Sequence, residues 1–345
     1  MRATAAAVVA AVGLLGAAPA VGDEAGREAL QRAVDASRAT AYEGRVVIVG
    51  FDATGAPTLA ELDVARGRDG GMRVGVAERW TIGRAADVAF RSASAGELLA
   101  LSGIEPLEFS VDDLLTKYDV ARQGVSELVT GPATVVGVRE RGAATDRERL
   151  HLDDSTGLVV RRETFDAAGE PVRLVAFTSL QVIDRSLGVP DGMTAPATTR
   201  TELSDRGLDA LASVGWEVPT ALDGGFRLRE AYALPENDGG SVHLVYTDGL
   251  YTLSVYEQHG RLDPDAVSGA RRHAAEGRHV WRWPGSEPER VVWSGAGMTF
   301  TAVSDAPLDT IVTAVSALPA DPPPGPFARL TRGFERLGRM LWPFG

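Results

Sequence analysis

The stretch Val242-His-Leu-Val-Tyr-Thr-Asp-Gly-Leu-Tyr-Thr-Leu-Ser-Val-Tyr256 places β-branched and aromatic residues on both sides of an Asp-Gly pair. Asp-Gly readily supplies the positive φ angles of a type I′ turn, so the stretch predicts a β-hairpin with a two-residue loop at Asp248-Gly249. In that register Tyr246 lies opposite Tyr251, and the apolar residues share one face. The hairpin therefore indicates an antiparallel sheet with one buried face.

Strand-like runs joined by short turns also fill the first half of the chain, for example residues 45–51, 133–139 and 158–165. This pattern favours antiparallel sheets over βαβ units. Residues 186–202 are rich in Pro, Gly, Ala and Thr and are typical of a linker. In the second half, Asp263-Pro264 predicts the start of a helix that Gly277 ends. The predicted fold class is α+β, with two domains at 24–185 and 203–318.

Composition excludes several classes of function. The 345 residues suit two domains by length. The net charge is −12, and a chain this acidic repels nucleic acid, so we expect no nucleic-acid partner. Cysteine is absent, which excludes thiol catalysis, Cys–Zn sites and lipoprotein acylation.

The two ends of the chain carry signals of their own. Residues 1–22 combine a charged start, an apolar run and Ala-x-Ala cleavage sites, which predicts a signal peptide; an uncleaved N-terminal tether is the alternative. Residues 319–326 form a Pro-rich spacer. Residues 327–345 predict a basic amphipathic helix that lies in a membrane interface, docks on the protein or frays. Its candidate membrane contacts are Phe327, Leu330, Phe334, Leu337, Leu341 and Trp342.

The motifs of common enzymes are absent. The sequence has no nucleophile elbow, phosphate loop or dinucleotide fingerprint, and its five histidines show no metal-ligand spacing. The adjacent acidic pairs Asp112-Asp113 and Asp153-Asp154 are explained by helix capping and turns. We therefore predict a non-enzymatic protein with no catalytic residue, no metal and no cofactor.

A series of short motifs resembles the MucB/RseB family of extracytoplasmic regulators of sigma-E-type stress responses. They are Leu114-Leu-Thr-Lys-Tyr-Asp-Val120, Val129-Thr-Gly-Pro132, Leu152-Asp-Asp-Ser-Thr-Gly-Leu158, Val214-Gly-Trp-Glu-Val-Pro219, the Asp248-Gly249 hairpin and Glu257-Gln-His-Gly-Arg-Leu262. The resemblance lies in the order and spacing of these motifs and covers roughly residues 25–318.

The resemblance implies a fold. The first domain is expected to be a curved antiparallel half-barrel with helices across its mouth, similar to periplasmic lipoprotein carriers. The second is expected to be a smaller α+β domain with an antiparallel sheet. An apolar cavity for an acyl chain would be lined by Trp80, Phe90, Leu98, Leu99 and Leu101, unless these residues simply form the core.

The resemblance also implies a function. The protein would be exported to the periplasm or cell envelope, would bind the extracytoplasmic segment of a membrane anti-sigma factor and would modulate its proteolysis. A lipid or lipoprotein in the first domain would act as the signal. Candidate partner contacts are Tyr256, Glu257 and His259, taken as exposed, and these residues could equally be plain surface. The alternatives are a lipid or lipoprotein carrier and a structural protein of the cell envelope.

Overall fold

Two antiparallel sheets and four α-helices make up the described part of the chain. The computed structural model describes residues 23–51, 56–68, 72–78, 110–186, 201–234, 240–262, 267–275, 277–284 and 288–321. The elements before residue 187 are α1 (Glu24–Ala39), β1 (Tyr42–Phe51), β2 (Pro57–Arg66), β3 (Met72–Glu78), α2 (Val111–Lys117), β4 (Tyr118–Leu128), β5 (Gly131–Glu140), β6 (Glu148–Asp153), β7 (Val159–Phe165) and β8 (Pro171–Val182).

The eight strands of the first half form one open sheet in the order β3-β2-β1-β8-β7-β6-β5-β4. Strands β3 and β4 end the sheet at opposite edges, so the described strands do not close into a barrel. Helix α1 begins at an Asp23 cap and buries Leu30, Ala33 and Val34 against it. The predicted half-barrel covered by helices is confirmed by this open sheet and its two packed helices.

The second half forms another eight-stranded sheet, in the order β13-β14-β15-β16-β12-β11-β10-β9. Its elements are β9 (Thr201–Glu202), α3 (Asp205–Ser213), β10 (Arg227–Leu234), β11 (Ser241–Thr247), β12 (Thr252–His259), β13 (Arg271–Ala275), β14 (Arg278–Arg282), β15 (Glu289–Gly295), β16 (Met298–Ser304) and α4 (Leu308–Val315). The predicted α+β class is confirmed. The domain boundaries stay predictions, although the last two residues of the predicted linker form β9.

The hairpin of β11 and β12 is present, but its predicted register is wrong by two residues. Thr247 pairs with Thr252 and Tyr246 with Leu253, so the loop has four residues rather than two. The Asp248 carboxylate accepts hydrogen bonds from the N–H groups of Leu250 and Tyr251, which builds a wider turn. Because side chains alternate with a period of two, the shift leaves the predicted buried face unchanged.

One continuous hydrophobic core joins the two sheets. It contains Leu30 of α1 and Leu114 of α2 together with Leu244 of β11, Leu253 of β12 and Val315 of α4. Each of these five side chains is fully buried. The two sheets therefore share their apolar faces, and the hairpin of the second half packs on the helices of the first.

The helix predicted to begin at Asp263-Pro264 is not formed over its described part. Residues 267–270 make a turn, and Arg271–Ala275 is the edge strand β13, which pairs with β14. Among the described residues, no helix is long and apolar enough to cross a membrane.

Candidate functional site

The loop of the hairpin is anchored in the first half of the chain through Asp248. Its Oδ2 atom accepts hydrogen bonds from Lys117 Nζ and from the Tyr118 hydroxyl, both at 2.6 Å. Its Oδ1 atom accepts the two backbone N–H groups of its own turn. Burial, with Asp248 alongside, raises the pKa of Tyr118 far above its ordinary value, so the phenol remains a donor. The carboxylate is thereby satisfied without water.

A buried ionic bridge lies beside this anchor. Arg162 of β7 contacts both carboxylate oxygens of Glu148, at 2.9 and 3.1 Å, and its Nη1 atom lies 3.0 Å from Asp305 Oδ2. Glu148 also accepts a hydrogen bond from the Thr164 hydroxyl at 2.9 Å. Because Asp305 follows β16, this bridge joins the first sheet to the second. We call the Asp248 anchor and the Arg162 bridge together the inter-sheet junction.

A further contact extends the junction towards α4. Arg147 Nη1 lies 2.9 Å from Asp309 Oδ2, and that oxygen also accepts the N–H group of Ala167. The backbone carbonyl of Arg147 accepts the Tyr251 hydroxyl at 3.3 Å. These polar contacts connect the two halves beside the shared core, and removing one partner from any buried pair among them would be costly.

The three candidate partner contacts do not lie together. Tyr256 is half-buried on the face of the second sheet that points away from the shared core. There it stacks on His243, with ring centroids 4.2 Å apart, and His243 lies 5.8 Å from Tyr232. These three residues are direct cross-strand neighbours. We call Tyr232, His243 and Tyr256 the aromatic ladder.

Glu257 is not a surface residue, so the expectation that it is exposed is wrong. The register of the hairpin places it opposite Val242, on the buried face, where it has 0% exposure. One of its oxygens accepts the Glu217 N–H at 3.1 Å, and no hydrogen-bond donor among the described residues reaches the other. Burial raises the pKa of the Glu257 carboxyl to about 8. Strand alternation from Val255 places Glu257 on this face in either register, because β12 continues as far as His259.

His259 lies at the exposed end of β12, beside the Val214–Pro219 motif. Its ring is 4.4 Å from the ring of Trp216, and Val214 nearby in sequence is 68% exposed. We call Val214, Trp216 and His259 the tryptophan rim. Helix α3, which precedes it, has no fully buried residue. The rim thus combines an apolar surface with an aromatic pair, a composition common in protein interfaces.

A polar cluster on the first sheet has the residue types of a catalytic triad but not its chemistry. Ser126 Oγ lies 2.8 Å from His151 Nδ1, and His151 Nε2 lies 3.8 Å from Glu163. Burial lowers the pKa of His151 to about 3, with Arg161 and Arg149 alongside adding to the effect. A histidine this weakly basic is a poor general base. The cluster is best explained as part of a buried ionic network in which Arg161 and Arg149 both pair with Glu163.

The remaining site predictions are not tested by the described residues. Among these, no cluster of three or more metal-ligating side chains is found. A groove of about 490 Å³ between α1 and α2 is lined mainly by charged and polar residues, unlike a site for an acyl chain. The proposed cavity residues, from Trp80 to Leu101, and the C-terminal candidates, from Phe327 to Trp342, lie outside the described residues and stay predictions.

Sequence reasoning missed the inter-sheet junction. Asp248 was assigned to a local turn, although it also binds two residues that lie about 130 positions earlier. A signal was present in Arg161-Arg162-Glu163, since three consecutive charged residues within a predicted strand place charge on both faces of the sheet. At least one of them therefore requires a buried partner.

Comparison with known proteins gives a match to one family model. Residues 93–203 match the family model of the MucB/RseB N-terminal domain. The match overlaps three of the motifs on which the resemblance rests, and it confirms that resemblance.

Solved structures with a similar backbone path include two structures of MucB. The complex of MucA and MucB from Pseudomonas aeruginosa is 21% identical with a TM-score of 0.47, and the match covers 86% of this chain and 99% of that chain. A crystal structure of MucB is 20% identical with a TM-score of 0.45, and the match covers 86% and 98%. A LolA superfamily protein from Nitrosomonas europaea is 10% identical with a TM-score of 0.20, and the match covers 50% and 96%. No curated protein matches the chain.

Proposed function

We propose that the protein is a non-enzymatic regulator of the cell envelope that binds the extracytoplasmic segment of a membrane anti-sigma factor. The match of residues 93–203 to the MucB/RseB N-terminal domain carries this proposal. The motifs of the second half extend the same resemblance to the hairpin and to the Val214–Pro219 loop. The polar cluster around His151 offers no competing catalytic function.

The tryptophan rim is the contact surface that we propose for this partner. Interface hot spots are enriched in tryptophan, and they form where an aromatic anchor is bordered by apolar groups that exclude water. Val214 is among the four large hydrophobic residues that are clearly exposed in the described part of the chain. His259 supports Trp216 from the end of β12. The aromatic ladder is the second candidate, because Tyr256 is half-buried and accessible from the opposite face.

Site-specific photocrosslinking distinguishes these two surfaces. A benzophenone amino acid at Val214 or at Tyr256 is introduced into the tagged full-length protein in its native host, with Val129 as the matched control. Val129 is 82% exposed and lies in the turn after β4, on the first sheet. We expect a crosslinked single-pass membrane protein from Val214 and none from Val129. Equal yields from all three positions would show that no particular surface is recognised.

The finer parts of the proposal concern proteolysis and its signal. The bound protein would shield the anti-sigma segment from proteolysis, and a lipid or lipoprotein would release it. A ligand shifts this equilibrium only if it binds the released state more tightly than the complex. The test is cleavage of the purified segment with and without the protein, and then with added phospholipid micelles. Unchanged cleavage on addition of the protein would refute shielding. If the complex stays intact after the lipid is added, release by lipid is refuted.

A further inference from the structure

Two buried side chains of the hairpin hold the loop 214–219 against the second sheet. The Tyr246 hydroxyl donates to the carbonyl of Pro219 at 2.9 Å, and the Glu217 N–H donates to Glu257 Oε2 at 3.1 Å. Both anchoring side chains belong to the shared core, with 0% exposure. Trp216 shares a peptide unit with the anchored Glu217 N–H, and the Pro219 bond holds the following turn of the loop, so the placement of Trp216 depends first on the Glu257 bond.

The carboxyl of Glu257 is surrounded by groups that disfavour a negative charge. The titratable groups that face it are Glu217 from the loop and Tyr246 from β11. From β16 its cross-strand neighbour is Phe300, which is uncharged. On its own strand, His259 is turned to Trp216 at the exposed end. An ionised carboxylate here would have one N–H donor and a second carboxylate nearby, whereas a neutral carboxyl keeps the N–H bond without the cost of a buried charge.

We infer that Glu257 is a positioning residue whose protonated carboxyl holds the Trp216 loop in place, so that loss of this proton loosens the loop and weakens binding at the tryptophan rim. The binding consequence rests on the proposed function, but the movement of the loop does not. The raised pKa of Glu257, about 8, places the transition at mildly alkaline pH. The loop is expected to loosen as the pH rises, because ionisation of Glu257 adds a charge that the buried site does not solvate.

The loop movement is measured by ¹⁹F NMR on the full chain labelled with 5-fluorotryptophan. The Trp216 resonance is assigned by its loss in W216F, and the Trp281 resonance serves as an internal control. We expect the Trp216 resonance to shift between pH 6.5 and 9.5 with a midpoint near the pKa of Glu257, about 8. In E257Q the amide oxygen still accepts the Glu217 N–H but the side chain does not ionise, so the shift should disappear.

A second variant keeps the inference testable if E257Q does not fold. E217Q removes the facing carboxylate while leaving the backbone N–H that binds Glu257, so the midpoint should fall below that of the unsubstituted protein. An unchanged transition in E257Q, an unchanged midpoint in E217Q or a Trp216 resonance that does not move in the unsubstituted protein would each overturn the inference.

Binding is then measured by crosslinking from position 214 at pH 7 and pH 9. If binding requires the protonated carboxyl, its strength at pH 9 should fall by roughly tenfold in the unsubstituted protein and stay constant in E257Q. A loop transition without this loss would refute the coupling between loop and partner. Absence of any crosslink at both pH values would refute the proposed function instead and leave the loop result standing.

Discussion

Substitution of Arg162 by methionine removes the guanidinium that bridges Glu148 of the first sheet and Asp305 of the second. The side chains of these three residues are 8%, 0% and 6% exposed. Methionine fills most of the volume of the arginine stem, so the substitution mainly deletes the charge and its hydrogen bonds. Two buried carboxylates are then left to face each other without a cation.

The expected loss of stability is large because the buried carboxylates of Glu148 and Asp305 remain without a cation. Breaking a buried pair by removing one partner costs about 3–5 kcal/mol, most of it the cost of the uncompensated charge. The remaining bonds, from the Thr164 hydroxyl to Glu148 and from the Thr252 N–H to Asp305, favour the lower end of that range. The matched control is R45M, because Arg45 is 47% exposed and its partners Asp63 and Glu61 are 54% and 24% exposed. An exposed pair of this kind contributes about 0.2–1 kcal/mol.

The assay is urea unfolding of the two variants and the unsubstituted protein, followed by tryptophan fluorescence at pH 7. R162M should lower the free energy of unfolding by roughly 3 kcal/mol and R45M by less than about 1 kcal/mol. At pH 5 the deficit of R162M should shrink. Without Arg162 the pKa of Glu148 rises further above its unfolded value, and a carboxyl raised in this way stabilises the fold more as pH falls. Equal losses in the two variants would refute the account of the junction.

Two further predictions concern the hairpin turn and the partner surface. G249A should destabilise the fold by more than the roughly 1–2 kcal/mol cost of its positive φ, because the added Cβ would lie 3.0 Å from the backbone of Leu114. G297A has a similar φ but open space around it, and a thermal shift as large as that of G249A would contradict this reasoning. V214D should weaken partner binding at least tenfold, about 1.4 kcal/mol, while V129D leaves it unchanged in a pull-down titration. If V214D and V129D weaken partner binding equally, the tryptophan rim is not part of the interface.

Local pattern predicted the faces of the hairpin but not its register. Residues of alternating character identified the buried face correctly, because the alternation is a property of the strand itself. The loop length depends on Asp248, whose carboxylate is held by Lys117 and Tyr118 from the other half of the chain. Such a contact is not visible in the local sequence, and Asp-Gly alone favours the shorter turn.

Contacts that are not visible in the local sequence also explain two other differences between the predicted and the observed structure. Arg271–Ala275 has residues that tolerate a helix, yet pairing with β14 makes it an edge strand, since tertiary context overrides a weak local preference. Glu257 resembles the start of a polar edge in the sequence, but β12 continues to His259, and strand alternation places Glu257 on the buried face against the loop that carries Glu217. The family motifs indicated which segments belong to the two sheets and their loops. The positions of these segments in the fold depend on long-range contacts that the local sequence does not show.

The most direct test of the proposed function is a crosslinked pull-down of the tagged full-length protein from its native membranes, read by mass spectrometry. The account predicts a single-pass anti-sigma factor as the main partner, with recovery that falls in V214D but not in V129D. Recovery of lipid or lipoproteins without such a membrane protein would contradict it and would favour the carrier alternative.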